Sequence, residues 1–230
     1  MRVDVAFTPG EGAAARVGIV VDVIRATSSI AQALASGYER VLCCAEIEEA
    51  RALRGQLGAE AVVGGERDAV VVDGFDVGAS PREFAAPPKA KTLILTTTNG
   101  TRAILTAASR CEVVLLGSLL SLSAVVRAAR AAGGDVAIIC SGFKGGFALD
   151  DAYCAGRIVR ALDGERSAAA IAADVIAGAW PDPLQGLNAR TYGPPGLEAE
   201  IEFCAQLDLL DVAPHLSRMI GTTAEIRREQ

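Results

Sequence analysis

The chain of 230 residues carries 28 acidic against 22 basic side chains, for a formal charge of −6 and a pI near 5.0, and 51% of its residues are hydrophobic. Length and apolar content suffice for a substantial core, which excludes disorder, and the acidic balance excludes a non-specific nucleic-acid binder, which needs a basic face. No apolar run reaches the length of a membrane span and Met1-Arg2-Val3-Asp4-Val5 lacks a signal-peptide core, so a cytoplasmic protein with no membrane or nucleic-acid partner is expected.

Residues 3–7 read as a first strand, and 17–23 as a second, buried one of continuous β-branched character. The second strand ends in Asp22-Val23-Ile24-Arg25-Ala26-Thr27-Ser28-Ser29 and leads to a helix over 30–36, stopped at Gly37. A strand over 40–44, a helix over 47–57 and a short strand over 61–63 follow, then the loop Gly64-Gly65-Glu66-Arg67-Asp68. Ser80-Pro81 predicts the cap of a short helix within an irregular segment. The run 91–95 drives as a strand into Thr96-Thr97-Thr98-Asn99-Gly100-Thr101-Arg102, and a helical pattern over 103–108 follows at once. Strands over 112–117 and 136–140 flank an Ala-rich helix over 123–132, and Ser141-Gly142-Phe143-Lys144 opens a Gly-rich loop that reaches Asp150-Asp151 and a helix over 152–162. Helices over 168–179 and 198–209 are separated by a Pro/Gly-rich link, and Pro214 closes the region. The alternation predicts a layered α/β/α fold with a mostly parallel or mixed central sheet. It is read as one domain spanning 1–230, with allowance for a small C-terminal helical lobe from about residue 165.

Four junctions place polar residues just after an apolar run: 22–29, 64–67, 96–102 and 141–151. Each alone is compatible with an ordinary loop, a helix cap or a surface ion pair. Together they suggest one anion site, because strand ends of one sheet bring distant loops to a shared edge. In the Thr-rich loop, Gly100 would permit a tight turn while backbone N–H groups and hydroxyls at the helix start favour an anion. Known phosphate motifs fail: there is no Gly-x-x-x-x-Gly-Lys-Ser/Thr, Ile24 stands where an aspartyl-phosphate motif needs a second Asp, and Gly146 stands where a Cys-x5-Arg loop from Cys140 needs Arg. Six cysteines form no CxxC pair, and His215 is the single histidine, so any metal should be hard and oxygen-bound. Asp22, Glu66 and Asp151 are the candidate Mg²⁺ ligands, with Asp76 and Asp150 in reserve.

Five blocks carry a resemblance: Val21 to Ser28, Gly65-Glu66-Arg67, Gly74-Phe75-Asp76 with Ser80-Pro81, Thr96 to Thr101, and Gly146 to Asp151. In this order they resemble the 2-phosphosulfolactate phosphatase family, from about Asp4 to Leu162 and more weakly to Pro214. The resemblance implies a Mg²⁺-dependent hydrolysis of 2-phosphosulfolactate to sulfolactate and phosphate, a step of the coenzyme M biosynthesis type, on an α/β fold. One departure is Ala79, where the family tends to have Asn. On this reading Asp22 binds metal, aims water or acts as nucleophile, while Arg25, Arg67 and Arg102 grip the anionic groups. Thr27, Ser28, Ser80, Thr98, Asn99, Gly100, Thr101, Ser141, Gly142 and Lys144 complete the expected site around a small anionic phosphomonoester. A homodimer is compatible with the reading. The alternatives are a phosphatase for another phosphorylated hydroxy acid and a non-catalytic sensor of a phosphorylated or sulfonated metabolite.

Overall fold

The computed structural model describes residues 1–193 and 195–229. In chain order its elements are β1 (Arg2–Ala6), β2 (Val17–Val21), α1 (Ala26–Ala35), β3 (Arg40–Cys43), α2 (Ile47–Leu57), β4 (Ala61–Arg67), β5 (Val70–Val71), β6 (Thr92–Thr96), α3 (Gly100–Ala108), β7 (Val113–Gly117), α4 (Leu122–Ala132), β8 (Val136–Cys140), α5 (Leu149–Ala161), β9 (Glu165–Arg166), α6 (Ala168–Ala179), α7 (Pro183–Asn188), α8 (Glu198–Cys204), β10 (Pro214–Ile220) and β11 (Thr223–Arg228). The strands form a mixed, mostly parallel sheet in the order β5-β4-β6-β3-β11-β10-β7-β2-β8-β1-β9, so the fold is the expected layered α/β type.

Because successive strand residues face opposite sides, each buried strand serves two helical layers. Val17, Ile19 and Val21 of β2, with Val136, Ile138 and Cys140 of β8, pack against α4, α5 and α6. Val20, Ile139 and Leu116 point the other way, into a second core with Ile30 and Leu34 of α1 and Ile104 of α3. On the far strands Leu93 and Leu95 face that second core, while Ile94, Leu42 and Val63 join Ala50 of α2. That double coverage explains the near-continuous apolar runs of β2, β6 and β8.

Two parallel blocks, β4-β6-β3 and β7-β2-β8-β1-β9, are joined by the antiparallel hairpin β10–β11. Three antiparallel steps reverse the sense of one block relative to the other. Sheet twist of about 20–25° per strand, accumulated over the five steps from β6 to β2, turns the strand axis by roughly 100–125° and offsets much of that reversal. The loops after β2, β6 and β8 and the end of β4 therefore line one cavity.

The structure corrects several sequence boundaries. Gly64 to Arg67 belongs to β4 rather than to a loop, α1 begins at Ala26, and the last expected helix ends at Cys204. The link after α6 contains the short helix α7, opened by Asp182 as N-cap with Pro183 behind it. Beyond Pro214 the chain forms the hairpin at the middle of the sheet, where only an end to structure was expected. The expected short helix after Ser80 is present as a 3-10 turn, with the Glu83 carboxylate accepting the Ser80 N–H.

Candidate active site

Asp22 leaves the end of β2 and is buried. Its turn is tied by Thr27, whose hydroxyl donates to the Asp22 carbonyl at 2.8 Å, and by the Thr27 N–H to the same oxygen at 3.0 Å. Ser28 donates to the Val23 carbonyl at 2.7 Å. Both hydroxyls are thus spent on the backbone, both residues are fully buried, and neither lines the cavity. The Ile24–Arg25 peptide bond in this turn is cis. Asp22 Oδ1 accepts the Ala26 N–H at 3.2 Å.

Gly100 is where the β6 loop meets this turn. A Cβ there would stand 2.5 Å from Asp22 Oδ2 and 2.4 Å from the Ala26 Cβ. The glycine is needed for this close approach, and its φ is not positive. Thr97 and Thr101 bond each other, the Thr101 hydroxyl donating to the Thr97 carbonyl at 3.0 Å, so Thr101 points inward while Thr98 and Asn99 line the cavity.

At the end of β8, Asp151 stitches two loops together. Its Oδ1 accepts the Val23 N–H at 2.9 Å, and its Oδ2 accepts the Ser141 hydroxyl at 2.9 Å and the Gly142 N–H at 3.0 Å. Asp150, beside it in the first turn of α5, accepts the Asp151 N–H at 3.0 Å and the Tyr192 hydroxyl on Oδ1. Asp22, Asp150 and Asp151 are each at most 6% exposed, and no arginine or lysine pairs directly with them among the described residues. Burial pushes the carboxyl of Asp22 up to about 6, with the nearby Glu66 and Asp150 charges adding to the rise. Burial likewise raises Asp150, and it raises Asp151 well above the ordinary range with help from Asp150 and Asp22. Three like charges in one desolvated place disfavour full ionisation.

The cavity enclosed by these loops has a volume of about 330 Å³, adequate for a small metabolite. Asp22, Glu66, Asp150 and Asp151 supply acid; Arg25, Lys144 and Arg190 supply positive charge. Among the described residues no carboxylate pairs with Arg25 or Arg190, whereas Lys144 pairs with Asp68 at 2.8 Å across two loops.

Of the expected site residues, Asp22, Arg25, Glu66, Thr98, Asn99, Ser141, Gly142, Lys144 and Asp151 line this cavity. Four others are placed differently, besides Thr27, Ser28 and Thr101. The Arg67 guanidinium donates to the Glu66 and Ala45 carbonyls and to the Thr96 hydroxyl, at 2.7–2.9 Å, and so braces β4 against β6. Arg102 is exposed and pairs with Glu46 at 2.8 Å. Ser80 faces an adjoining pocket and donates to Glu200 Oε1 at 3.1 Å. Gly100 packs behind Asp22. The reserve Asp76 accepts the Val63 N–H at 2.9 Å, away from the cavity.

Sequence reading missed the wall formed by the segment between α7 and α8. Arg190, Tyr192 and Leu197 face the cavity from there, and Tyr192 stacks on Phe143 with ring centroids 5.0 Å apart. An Arg and a Tyr amid Gly and Pro were the available signal, but the segment resembles an ordinary linker.

Among the described residues no group of three or more His, Cys, Asp or Glu is arranged to hold a metal. Both oxygens of Glu66 and of Asp151 are engaged: Glu66 Oε1 accepts the Thr98 N–H at 2.7 Å and Oε2 the Ala69 N–H at 2.6 Å. Asp22 and Asp150 each use Oδ1 for backbone donors. The only sealed side-chain nitrogen or oxygen without a partner among the described residues is His215 Nδ1, so the Oδ2 atoms of Asp22 and Asp150 keep some access to solvent. A hard cation that takes a carboxylate or two and completes its shell with water and phosphate fits this pair better than the engaged Glu66 and Asp151.

The chain matches the model of the 2-phosphosulpholactate phosphatase family over residues 6–218. It is 36% identical over 244 aligned positions to a probable 2-phosphosulfolactate phosphatase of Thermus thermophilus, covering 99% of this chain and 100% of the relative. Proteins of the same printed name from Caldanaerobacter subterraneus subsp. tengcongensis and Symbiobacterium thermophilum are 35% and 36% identical, each covering 90% of this chain and 90% and 93% of the relative. No helix among the described residues is long and apolar enough to cross a membrane. With the match spanning nearly the whole length and taking in every loop of the cavity, the chain belongs to the 2-phosphosulpholactate phosphatase family.

Proposed function

We propose that this protein hydrolyses 2-phosphosulfolactate to sulfolactate and phosphate, with Mg²⁺ as cofactor. The observation that carries the reading is the cluster of three buried carboxyl groups, Asp22, Asp150 and Asp151, lining one small cavity with the guanidinium of Arg25, which pairs with no carboxylate among the described residues. An excess of acid is unsuited to a polyanionic substrate by itself and calls for a cation. Asp22 and Asp150 would hold it through their open Oδ2 atoms. A bound Mg²⁺ supplies positive charge that offsets the phosphoryl oxygens.

The remaining work falls to the chain. Arg25, at the start of α1, grips phosphoryl oxygens and stabilises charge as it develops. Arg190 and Lys144 receive the sulfonate and carboxylate of the substrate. Asp22 orients the attacking water; as the new P–O bond forms and the ester P–O bond breaks, one proton of that water passes to the departing sulfolactate oxygen and the other stays on the phosphate. Asp151, held by three donors, fixes the β2 and β8 loops relative to each other. The cytoplasmic setting expected from the sequence suits such a metabolite.

The test is phosphate release from 2-phosphosulfolactate by EDTA-stripped protein before and after Mg²⁺ is added. Activity restored by Mg²⁺ is expected, and full activity in the absence of any divalent ion overturns the metal requirement. Ala79 favours a second reading, since its buried methyl lies on the cavity wall and offers no hydrogen bond to the substrate. Faster turnover of another phosphorylated hydroxy acid in the same assay selects that reading. Tight binding without turnover of any phosphomonoester selects a sensor.

A further inference from the structure

We propose that Tyr192 is a positioning residue for Asp150, locking its carboxylate so that Oδ2 faces the cation place in the cavity. This rests on the reading above that Asp150 helps to hold Mg²⁺. Tyr192 lies 42 residues away in sequence, on the segment between α7 and α8, yet it meets Asp150 twice: its hydroxyl donates to Oδ1 and accepts the Asp150 N–H at 3.3 Å. Oδ1 also accepts the Asp151 N–H at 3.0 Å. Two donors on one oxygen remove the freedom of the carboxylate to turn about its Cβ–Cγ bond, and Oδ2 is left without a donor among the described residues. The phenol is itself held, because its ring stacks on Phe143 at 5.0 Å and 28°.

The choice of a phenol has a physical logic. A lysine or arginine bonded at that oxygen would neutralise Asp150 and compete with a bound cation, whereas a neutral O–H donor orients the group and leaves its charge available. Arg190 is near enough to bias Asp150 electrostatically but forms no ion pair with it among the described residues.

The test measures Mn²⁺ binding to the substrate-free protein, with free Mn²⁺ counted by electron paramagnetic resonance, for wild type, Tyr192→Phe and Asp150→Asn. Tyr192→Phe keeps the stacked ring and removes only the hydroxyl. Its Mn²⁺ affinity should fall by about tenfold, as is usual when a ligand loses the group that orients it. The Mg²⁺ concentration for half-maximal phosphate release should shift in parallel, with the melting temperature within about 4 °C of wild type, the scale of one lost hydrogen bond in a chain of this length. Phe143→Leu, which removes the ring against which Tyr192 rests, should weaken Mn²⁺ binding by about threefold, a fraction of that loss. Unchanged affinity in Tyr192→Phe beside weakened binding in Asp150→Asn overturns the role of Tyr192 alone. Wild type that binds no Mn²⁺, or Asp150→Asn that binds it as wild type does, overturns the underlying metal reading and this inference with it.

Discussion

Carboxyl groups are buried at two places in this protein with opposite electrostatics. Glu225, on β11, is 1% exposed and accepts from three guanidinium groups: Arg227 at 2.6 Å, Arg218 at 3.1 Å and Arg40 at 3.4 Å. Burial pushes its carboxyl up, but the Arg227 and Arg218 hydrogen bonds outweigh that and hold it below its ordinary value. Asp22, also buried, is lifted to about 6 by that burial, and the neighbouring Glu66 and Asp150 charges add to the rise. A buried charge with its counter-charges in place serves the fold. A buried charge among like charges weakens the fold, and the persistence of such a cluster in a cavity points to a ligand that completes it.

The sharpest way to break this contrast is Asp22→Asn. It should lower kcat/KM on the order of a thousandfold by removing a charge that acts at the reacting phosphoryl group. The same substitution should raise the melting temperature at pH 7.5. The sign follows from linkage: a carboxyl whose folded pKa lies above its unfolded value binds its proton more tightly in the folded state, so Asp22 reduces stability as pH rises from about 4 to about 6 and the deficit persists above. A melting temperature that drops in Asp22→Asn, measured without divalent ions, would show the group to be structural.

Arg25→Ala, next in size, should lower kcat/KM at least about tenfold, or about 1.4 kcal/mol, with little change in melting temperature. Arg67→Ala should do the reverse in part, because its guanidinium braces two carbonyls and the Thr96 hydroxyl: lower stability first, and activity only as the Glu66 edge loosens. Arg102→Ala, cutting an exposed pair with Glu46, should stay within about twofold in both, as surface pairs contribute about 0–1 kcal/mol. Thermal melts alongside steady-state kinetics distinguish the three.

Glu225→Gln tests the other half of the comparison. It leaves three guanidinium groups without their charge partner, a loss of about 1–2 kcal/mol after discounting for the exposure of Arg218 and Arg227. That corresponds to roughly 2–8 °C in melting temperature. Turnover should be unchanged. Since the Glu225 carboxyl is held low, its contribution is present above its unfolded pKa and is lost as pH falls through the folded value, the opposite slope to that of Asp22. A Glu225→Gln protein with wild-type stability between pH 5 and 8 would reduce the arginine cage to a surface feature.

Cys140 is expected to be dispensable for the chemistry. The thiol is fully buried, does not line the cavity, and is pushed well up by burial and then by the Asp151 charge, which is the reverse of what a nucleophilic thiolate needs. Cys140→Ala should retain activity within about tenfold, with circular dichroism confirming the fold. An inactive, folded Cys140→Ala beside an active Asp22→Asn would replace carboxylate chemistry by thiol chemistry.

By itself the sequence determined the layered α/β class, the buried strands and the loops that follow them, because strand periodicity and Gly-Pro punctuation are local properties. It also determined which residue types stand at Asp22, Arg25, Glu66, Thr98, Ser141 and Asp151, and these do meet in one cavity. Tertiary structure decided the rest. The hairpin escaped notice because Leu216, Ala224 and Ile226 face the core while Arg218, Glu225 and Arg227 occupy the other side, so a mixed-polarity tail conceals two strands central to the sheet. Thr27, Ser28, Arg67 and Thr101 carry groups suited to an anion, yet the fold spends those groups on its own backbone and side chains. Whether a polar atom serves a ligand or the chain depends on what donors and acceptors lie within about 3 Å of it in space. Spacing along the sequence does not contain that distance, which is also why Tyr192 and Asp150, 42 residues apart, became partners only once the chain had folded.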